Sequence, residues 1–263
     1  MSTEPVVVCL LGGFRLVRDG RSVPMHPGGK GELLLSSLAL APRYRLSRDQ
    51  VLTMLWPRSD SVLAGQSLNT LVYTLHRLVG DALRGAQPIV HEEGDYRLNV
   101  GAGVMVDIER FDAAADAGER HARSGDATAA RVSFGEAVRL YAGDLQAGSD
   151  VMHLIERERL RARFLALKAH LSDDSYTRGD LQTALTEALH ILAHDPCRED
   201  AYRMTMRCYL RLGQRTQALR QYQLCKVALA REFDAPPESA TEALNELIRS
   251  DPDRVLRLAS GTG

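Results

Sequence analysis

Apolar and polar residues alternate over short runs at the start of the chain. VVVCLL (6–11), FRLVRDG (14–20) and RSVPM (21–25) read as strands, and Asp19-Gly20 is a hairpin turn signal. From about residue 30 the apolar period lengthens to that of a helix. GGKGELLLSSLALAP (28–42) places Leu33, Leu34, Leu38 and Leu40 on one face before Pro42 stops it. Ser47 and Gln50 have capping-box spacing, so a second helix is predicted to start at SRDQ and bury Val51, Leu52, Leu55 and Trp56 ahead of Pro57. A third helix, QSLNTLVYTLHRLVG (66–80), carries an apolar stripe of Leu68, Leu71, Val72, Leu75, Leu78 and Val79. PIVHEEGDYRLNV (88–100) then reads as a hairpin around EEGD.

Beyond Val106 the helical period persists. Three segments there look alike: SGDATAARVSFGEAV, RGDLQTALTEALHIL and LGQRTQALRQYQLCK. In each, a glycine is followed five residues later by an alanine: Gly125 and Ala130, Gly179 and Ala184, Gly213 and Ala218. Gly179 and Gly213 stand 34 residues apart, the tetratricopeptide period, and Phe134 and Tyr222 hold an aromatic position nine after their glycines. The glycine turns the chain and the alanine lets two antiparallel helices approach, so a repeat body is favoured over a generic bundle. Pro196 falls where such a repeat ends its second helix. YAGDLQAGSD (141–150) is a glycine-bearing break before a long helix from Val151. With GAGVMVDIERF (101–111) as the main boundary, the expected division is 1–104, 105–250 and a flexible tail at 251–263.

With 263 residues the chain can bury two ordinary cores, and its 25% charged and 44% hydrophobic residues are those of a folded protein. The net charge of -1 hides a small asymmetry: residues 1–104 hold 11 basic and 9 acidic residues, the rest 22 and 25. Cys9, Cys197, Cys208 and Cys225 lack zinc spacing and read as buried thiols of a reducing compartment. The opening MSTEPVVVCLLGGF has no basic leader, and no apolar run approaches the ~18 residues of a membrane span, so a cytoplasmic location without membrane contact is expected.

Enzyme signatures fail one after another. HPGGKGELLL lacks phosphate-loop spacing, GAGVMV has no strand-helix-strand context for a dinucleotide, and no GxSxG elbow or nucleophile triad stands out. Glu187, His190 and His194 share a helix face at metal-capable spacing, yet that pattern arises readily on a polar helix surface. ERERLRARFLALK (156–168) pairs Glu156 with Arg159 and Glu158 with Arg161 at i+3, and reads as the wet side of a helix burying Leu160, Phe164, Leu165 and Leu167. No catalytic residue, metal or cofactor is expected.

The third helix is different. Opposite its stripe lie Gln66, Asn69, Thr70, Tyr73 and Arg77, with Ser67, Thr74 and His76 on the flanks, a face without aliphatic or acidic side chains. Asn and Gln can address adenine, Arg guanine or phosphate, and Thr and Tyr phosphates or a thymine methyl. Many surface helices have a polar face; the order of strands, three helices and hairpin is what points to a winged helix-turn-helix with this helix in the major groove. Arg48, at the start of the second helix, and Arg97, on the hairpin, are the expected phosphate contacts. The acidic tip HEEGD argues against deep minor-groove insertion.

The stretches LLGGFRLVRDGRSVPM, LSRDQVLTMLWP, SLNTLVYTLHRLVGD, YRLNV with VDIERFD, and HDPCREDAYRMTMRCYLRLGQRTQALRQYQLCKVALAREFDAPPESATEAL together resemble the Streptomyces antibiotic regulatory protein family. That resemblance covers residues 6–249. It implies an N-terminal α+β winged helix-turn-helix domain of the OmpR type, followed by an all-α tetratricopeptide-like transcriptional activation domain. It further implies a regulator that binds repeated elements in double-stranded DNA as a homodimer and recruits RNA polymerase. Where members carry a third-helix pattern like SRLRR, this chain has YTLHR, and GDYR replaces the usual Gly-Tyr of the second wing strand. Fewer cations imply weak or dimer-dependent affinity. The competing expectation is a helical-repeat adaptor whose winged helix only packs; a small-molecule effector on the repeat surface is left open.

Overall fold

A computed structural model describes residues 6–58, 61–146 and 151–260. The strands are β1 (Val6–Cys9), β2 (Arg15–Arg18), β3 (Arg21–Val23), β4 (Arg45–Ser47), β5 (Ile89–Glu92), β6 (Asp95–Leu98) and β7 (Val104–Val106). Between and after them run α1 (Lys30–Leu40), α2 (Arg48–Leu55), α3 (Ser61–Val79), α4 (Asp107–Arg123), α5 (Ala127–Leu140), α6 (Val151–Thr177), α7 (Leu181–His194), α8 (Glu199–Arg211), α9 (Arg215–Phe233), α10 (Ser239–Ser250) and α11 (Pro252–Ser260). Among the described residues no helix is long and apolar enough to cross a membrane.

Two compact units form, and neither is one continuous stretch of chain. The first comprises Met1–Ala113 with Arg139–Arg161; the second comprises Ala114–Val138 with Ala162–Gly263.

In the first unit a four-stranded sheet runs β3-β2-β1-β7, antiparallel except for the β1–β7 pair. Asp19 and Gly20 close the β2–β3 hairpin with φ of 51° and 73°, the doubly left-handed turn that matches strand twist. Glu93 and Gly94, at 52° and 85°, close β5–β6 in the same way. β4 joins that hairpin to give a second sheet, β4-β6-β5. The carboxylate of Asp107, buried at the start of α4, accepts the backbone N–H groups of Leu10 and Leu11 at 2.9 Å, so α4 is fastened to the end of β1. Burial raises the Asp107 pKa above the usual carboxylate value, while these amides pull it back down. On the same side Leu11 bridges to Leu145, and Phe111 meets Tyr141 with ring centroids 5.6 Å apart. Gly12, at φ 80°, leaves no room for a side chain: a methyl there would stand 2.8 Å from the Ala142 carbonyl.

In the second unit the glycine-alanine rule holds at all three places. Gly125, Gly179 and Gly213 adopt φ of 80°, 84° and 75° between α4 and α5, α6 and α7, and α8 and α9, and Ala130, Ala184 and Ala218 are buried behind them. Phe134 and Tyr222 are buried as expected. Lys168, itself buried on α6, donates to Glu187 on α7 at 2.5 Å, and Ser172 Oγ donates to the Ala184 carbonyl at 2.8 Å. Leu160, Phe164, Leu165 and Leu167 form the dry side of α6. On its wet side, in the part of α6 that belongs to the first unit, Arg159 bonds Glu156 as predicted and adds a two-pronged contact with Asp112 at 2.8 and 3.1 Å.

Several expectations are corrected. Leu33 is 42% exposed, because Gly31, Leu34, Leu35 and Leu38 make the buried face of α1 and the helical step carries Leu33 outside it. Trp56 is only half-buried, with the Lys30 ammonium 4.1 Å above its ring. Residues 252–260 are helical rather than a frayed tail, since Val255 seats in a core with Met206, Leu244 and Ile248; residues 261–263 lie outside the described residues. Of the thiols, Cys208 and Cys225 are buried, whereas Cys9 and Cys197 are partly so. Burial pushes the Cys208 thiol up to about 11 and the Cys225 thiol to about 12, far from a reactive thiolate.

Candidate nucleic-acid interface

α3 is fixed from three sides within the first unit. Its inner face buries Ala64, Leu68, Leu75 and Val79, with Leu71, Val72 and Leu78 half-buried at the edges of the predicted stripe. α1 crosses closely at Gly31, where a methyl group would lie 2.8 Å from Met25 Cε and 3.5 Å from Leu75 Cδ2. α2 starts at the predicted capping box: Ser47 Oγ accepts from the Gln50 N–H, and Gln50 Oε1 accepts from the Ser47 N–H at 2.8 Å. From β2, Arg18 Nη1 donates to the Leu78 carbonyl at 2.7 Å, satisfying a C-terminal acceptor of α3.

With the inner face so held, Gln66, Asn69, Thr70, Tyr73, Thr74 and Arg77 all emerge exposed on one side of α3. Tyr73 is 61% exposed. The hydroxyls are partly committed: Thr70 Oγ1 donates to the Gln66 carbonyl at 3.1 Å and Thr74 Oγ1 to the Thr70 carbonyl at 2.8 Å. What these threonines present outward is a methyl group and an accepting lone pair, not a donor for phosphate.

The two outlying arginines have other attachments. Arg48 lies across α3, where a methyl on Gly65 would stand 2.3 Å from its Nη2. Its guanidinium bonds the buried Tyr96 hydroxyl on β6; burial pushes that phenol's pKa up and Arg48 pulls it down. The Arg48 N–H also donates to the Gly94 carbonyl at 2.9 Å, so one residue links α2, α3 and the hairpin. Arg97, on β6, donates to Glu92 at 3.0 Å. Arg45, on β4, pairs with Asp95 and lies 3.8 Å from Glu93. The hairpin is therefore a lattice of ion pairs in which each acid of HEEGD has a cation beside it.

Two further residues belong to the outer face. α3 begins at Ser61, a full turn before the predicted start, and Val62 and Leu63 project from that turn at 66% and 63% exposure. Within that turn Gly65 makes room for Arg48.

The Glu187–His190–His194 face is occupied otherwise. Glu187 is bonded to Lys168, and His190 and His194 meet edge to face at 5.2 Å. Among the described residues no group of three metal-capable side chains comes together.

The model of the family described as the bacterial transcriptional activator domain matches residues 106–249. The chain belongs to that family. The activator-domain chain is 23% identical over 258 residues to the transcriptional regulatory protein MoaR1 of Mycobacterium tuberculosis, covering 96% of itself and 83% of that protein. It is 24% identical over 245 residues to the regulatory protein AfsR of Streptomyces coelicolor, of which it spans only 24%. Its fold is similar to the solved structure of Mycobacterium tuberculosis EmbR in complex with a low affinity phosphopeptide, at a TM-score of 0.72 and 22% identity, over 98% of this chain and 70% of that one. The resemblance to the antibiotic regulatory family is thus borne out, and the activator-domain chain is a transcriptional regulator of this type.

Proposed function

We propose that this regulator binds double-stranded DNA through a winged helix-turn-helix formed within residues 1–104, with α3 as the recognition helix, and activates transcription through residues 105–250. The observation that carries the reading is the outer face of α3: six exposed side chains suited to base edges and phosphates, without an acid, on a helix held by α1, α2 and β2. Arg77 and Arg48 serve as phosphate contacts, and Asn69, Thr70 and Tyr73, backed by Gln66 and Thr74, meet the groove. The family match over 106–249 supports a role for the helical pairs in transcriptional activation, to which the proposal adds dimerisation and contact with RNA polymerase.

Arg77 is the only full positive charge on the α3 face, and the cations of the hairpin are neutralised by its own acids. A single bound subunit therefore has few free phosphate contacts, and two subunits on repeated elements supply the affinity. The same ion-paired hairpin favours the second reading, an adaptor that binds proteins and uses the N-terminal unit only for packing.

Capture of genomic fragments by the purified full chain, followed by gel shift on the captured sites, separates the two. Asn69→Ala and Arg77→Ala, both at exposed positions, are expected to weaken binding by at least fivefold, consistent with about 1 kcal/mol or more per base or charged phosphate contact. Unchanged binding by both variants, or no captured fragment at low salt, overturns the proposal in favour of the adaptor.

A further inference from the structure

We infer that α3 reads an A·T-rich stretch of major groove, with Val62 and Leu63 as additional specificity residues that contact thymine methyl groups. The inference rests on the DNA-binding reading above and names the kind of sequence that reading requires.

The outer face runs from Val62 to Arg77, four turns and roughly 22 Å of helix. Its chemistry is uneven along that length. Guanine is read mainly by arginine or lysine reaching O6 and N7 together. Between Val62 and Tyr73 there is no cation, and Arg77 comes only in the last turn. Recognition helices contact base edges chiefly with their N-terminal residues, so the portion best placed for bases has no guanine reader.

What that portion does carry points the other way. Gln66 and Asn69 are exposed, and their amides can bond adenine N6 and N7 together. Thr70 has spent its hydroxyl proton on the Gln66 carbonyl, leaving its methyl outward. Val62 and Leu63 stand 66% and 63% exposed on the same side as Gln66 and Thr70, Val62 four residues before Gln66 and Leu63 seven before Thr70. In the major groove the apolar group on a natural base edge is the thymine C5 methyl, and it is the surface to which valine, leucine and a threonine methyl are complementary. An A·T-rich element offers both partners at once, adenine edges for the amides and thymine methyls for the apolar groups.

The test selects binding sites for the full chain from a random duplex library at low salt. The expected motif is A·T-rich at its centre. Replacing thymine by deoxyuridine in the selected site, which deletes only the methyl, is expected to weaken binding about fourfold per contacted base. Val62→Ala removes that sensitivity at one position, and Asn69→Ala relaxes the preference for adenine by fivefold or more. Both residues are exposed, and an unchanged melting curve shows that the variants fold. A G·C-centred motif, or a Val62→Ala protein that keeps the full deoxyuridine sensitivity, overturns the inference and leaves DNA binding standing. Failure to select any duplex overturns the DNA-binding reading and the inference with it.

Discussion

Two glycines of one helical pair show how much a single position depends on what faces it. Gly118, on α4, has the Phe134 ring directly against it: a methyl there would stand 2.3 Å from Cδ1, and the ring is backed by His170, stacked at 5.2 Å. Gly118→Ala gains helix propensity but overpacks the joint, and is expected to cost about 1–3 kcal/mol by urea denaturation. Gly135, on α5, meets nothing within 4 Å. Gly135→Ala is therefore expected to stabilise by about 0.5–1 kcal/mol through propensity alone. Opposite signs for one chemical change test the packing of this pair, and like signs would refute it. His190 carries a different dependence, on pH. Although its side chain is exposed on α7, partial desolvation lowers its pKa first, then the charges of Lys168 and His194, against the pull of Glu187. A histidine harder to protonate folded than unfolded leaves stability intact above its ordinary pKa and drains it as the pH falls through that value and below. Between about pH 7 and about pH 5 the wild type should lose more melting temperature than His190→Gln. Equal losses would remove His190 from the account.

At the scale of elements, the hairpin β5–β6 makes the sharpest expectation. Glu93 and Asp95 occupy Arg45, and Glu92 occupies Arg97. Exposed pairs of this kind add little stability, so their loss should cost little in folding. Asp95→Asn and Glu93→Gln are expected to tighten DNA binding several-fold and to steepen the dependence of log affinity on log salt by about one unit per freed cation. An unaltered salt slope would mean that the hairpin stays clear of the phosphates. How far each element could be read in advance depends on whether its signal is local. The Asp19-Gly20 turn, the Ser47–Gln50 capping box and the three glycine-alanine turns are short-range patterns, and each appears in the structure where the residues place it. The first turn of α3 was missed because Gly65 looks like a breaker, and its reason is an arginine 17 residues earlier. α11 was missed because a short polar helix is held by distant partners, Val255 against Met206 and Ile248. The same holds for the candidate interface: the exposed face was legible from helical period, but the pairing of Arg97 and Arg45 was not, since it depends on strand register across the hairpin.

At the scale of the whole molecule, the first unit returns to itself after an excursion of the chain. Residues 1–104 contain the entire exposed face of α3, yet not the whole core of the unit that carries it. β7 ends at Val106 and pairs with β1 in parallel; Asp107 satisfies the amides of Leu10 and Leu11; Phe111 is fully buried. The Gly12 N–H donates to the Asp144 carbonyl, and Leu11 bridges to Leu145, contacts supplied by chain that lies beyond α5. A fragment cut after residue 104 exposes the edge of β1, orphans two buried amides at about 1–3 kcal/mol each and removes the phenylalanine from the core, a sum comparable to the stability of a small domain. Such a fragment is expected to melt broadly, to exchange the amide protons of Leu10 and Leu11 rapidly, and to bind DNA far more weakly than the full chain, although every exposed residue of α3 is retained. A cooperative transition with full-chain affinity would show instead that residues 139–161 decorate the unit without completing it.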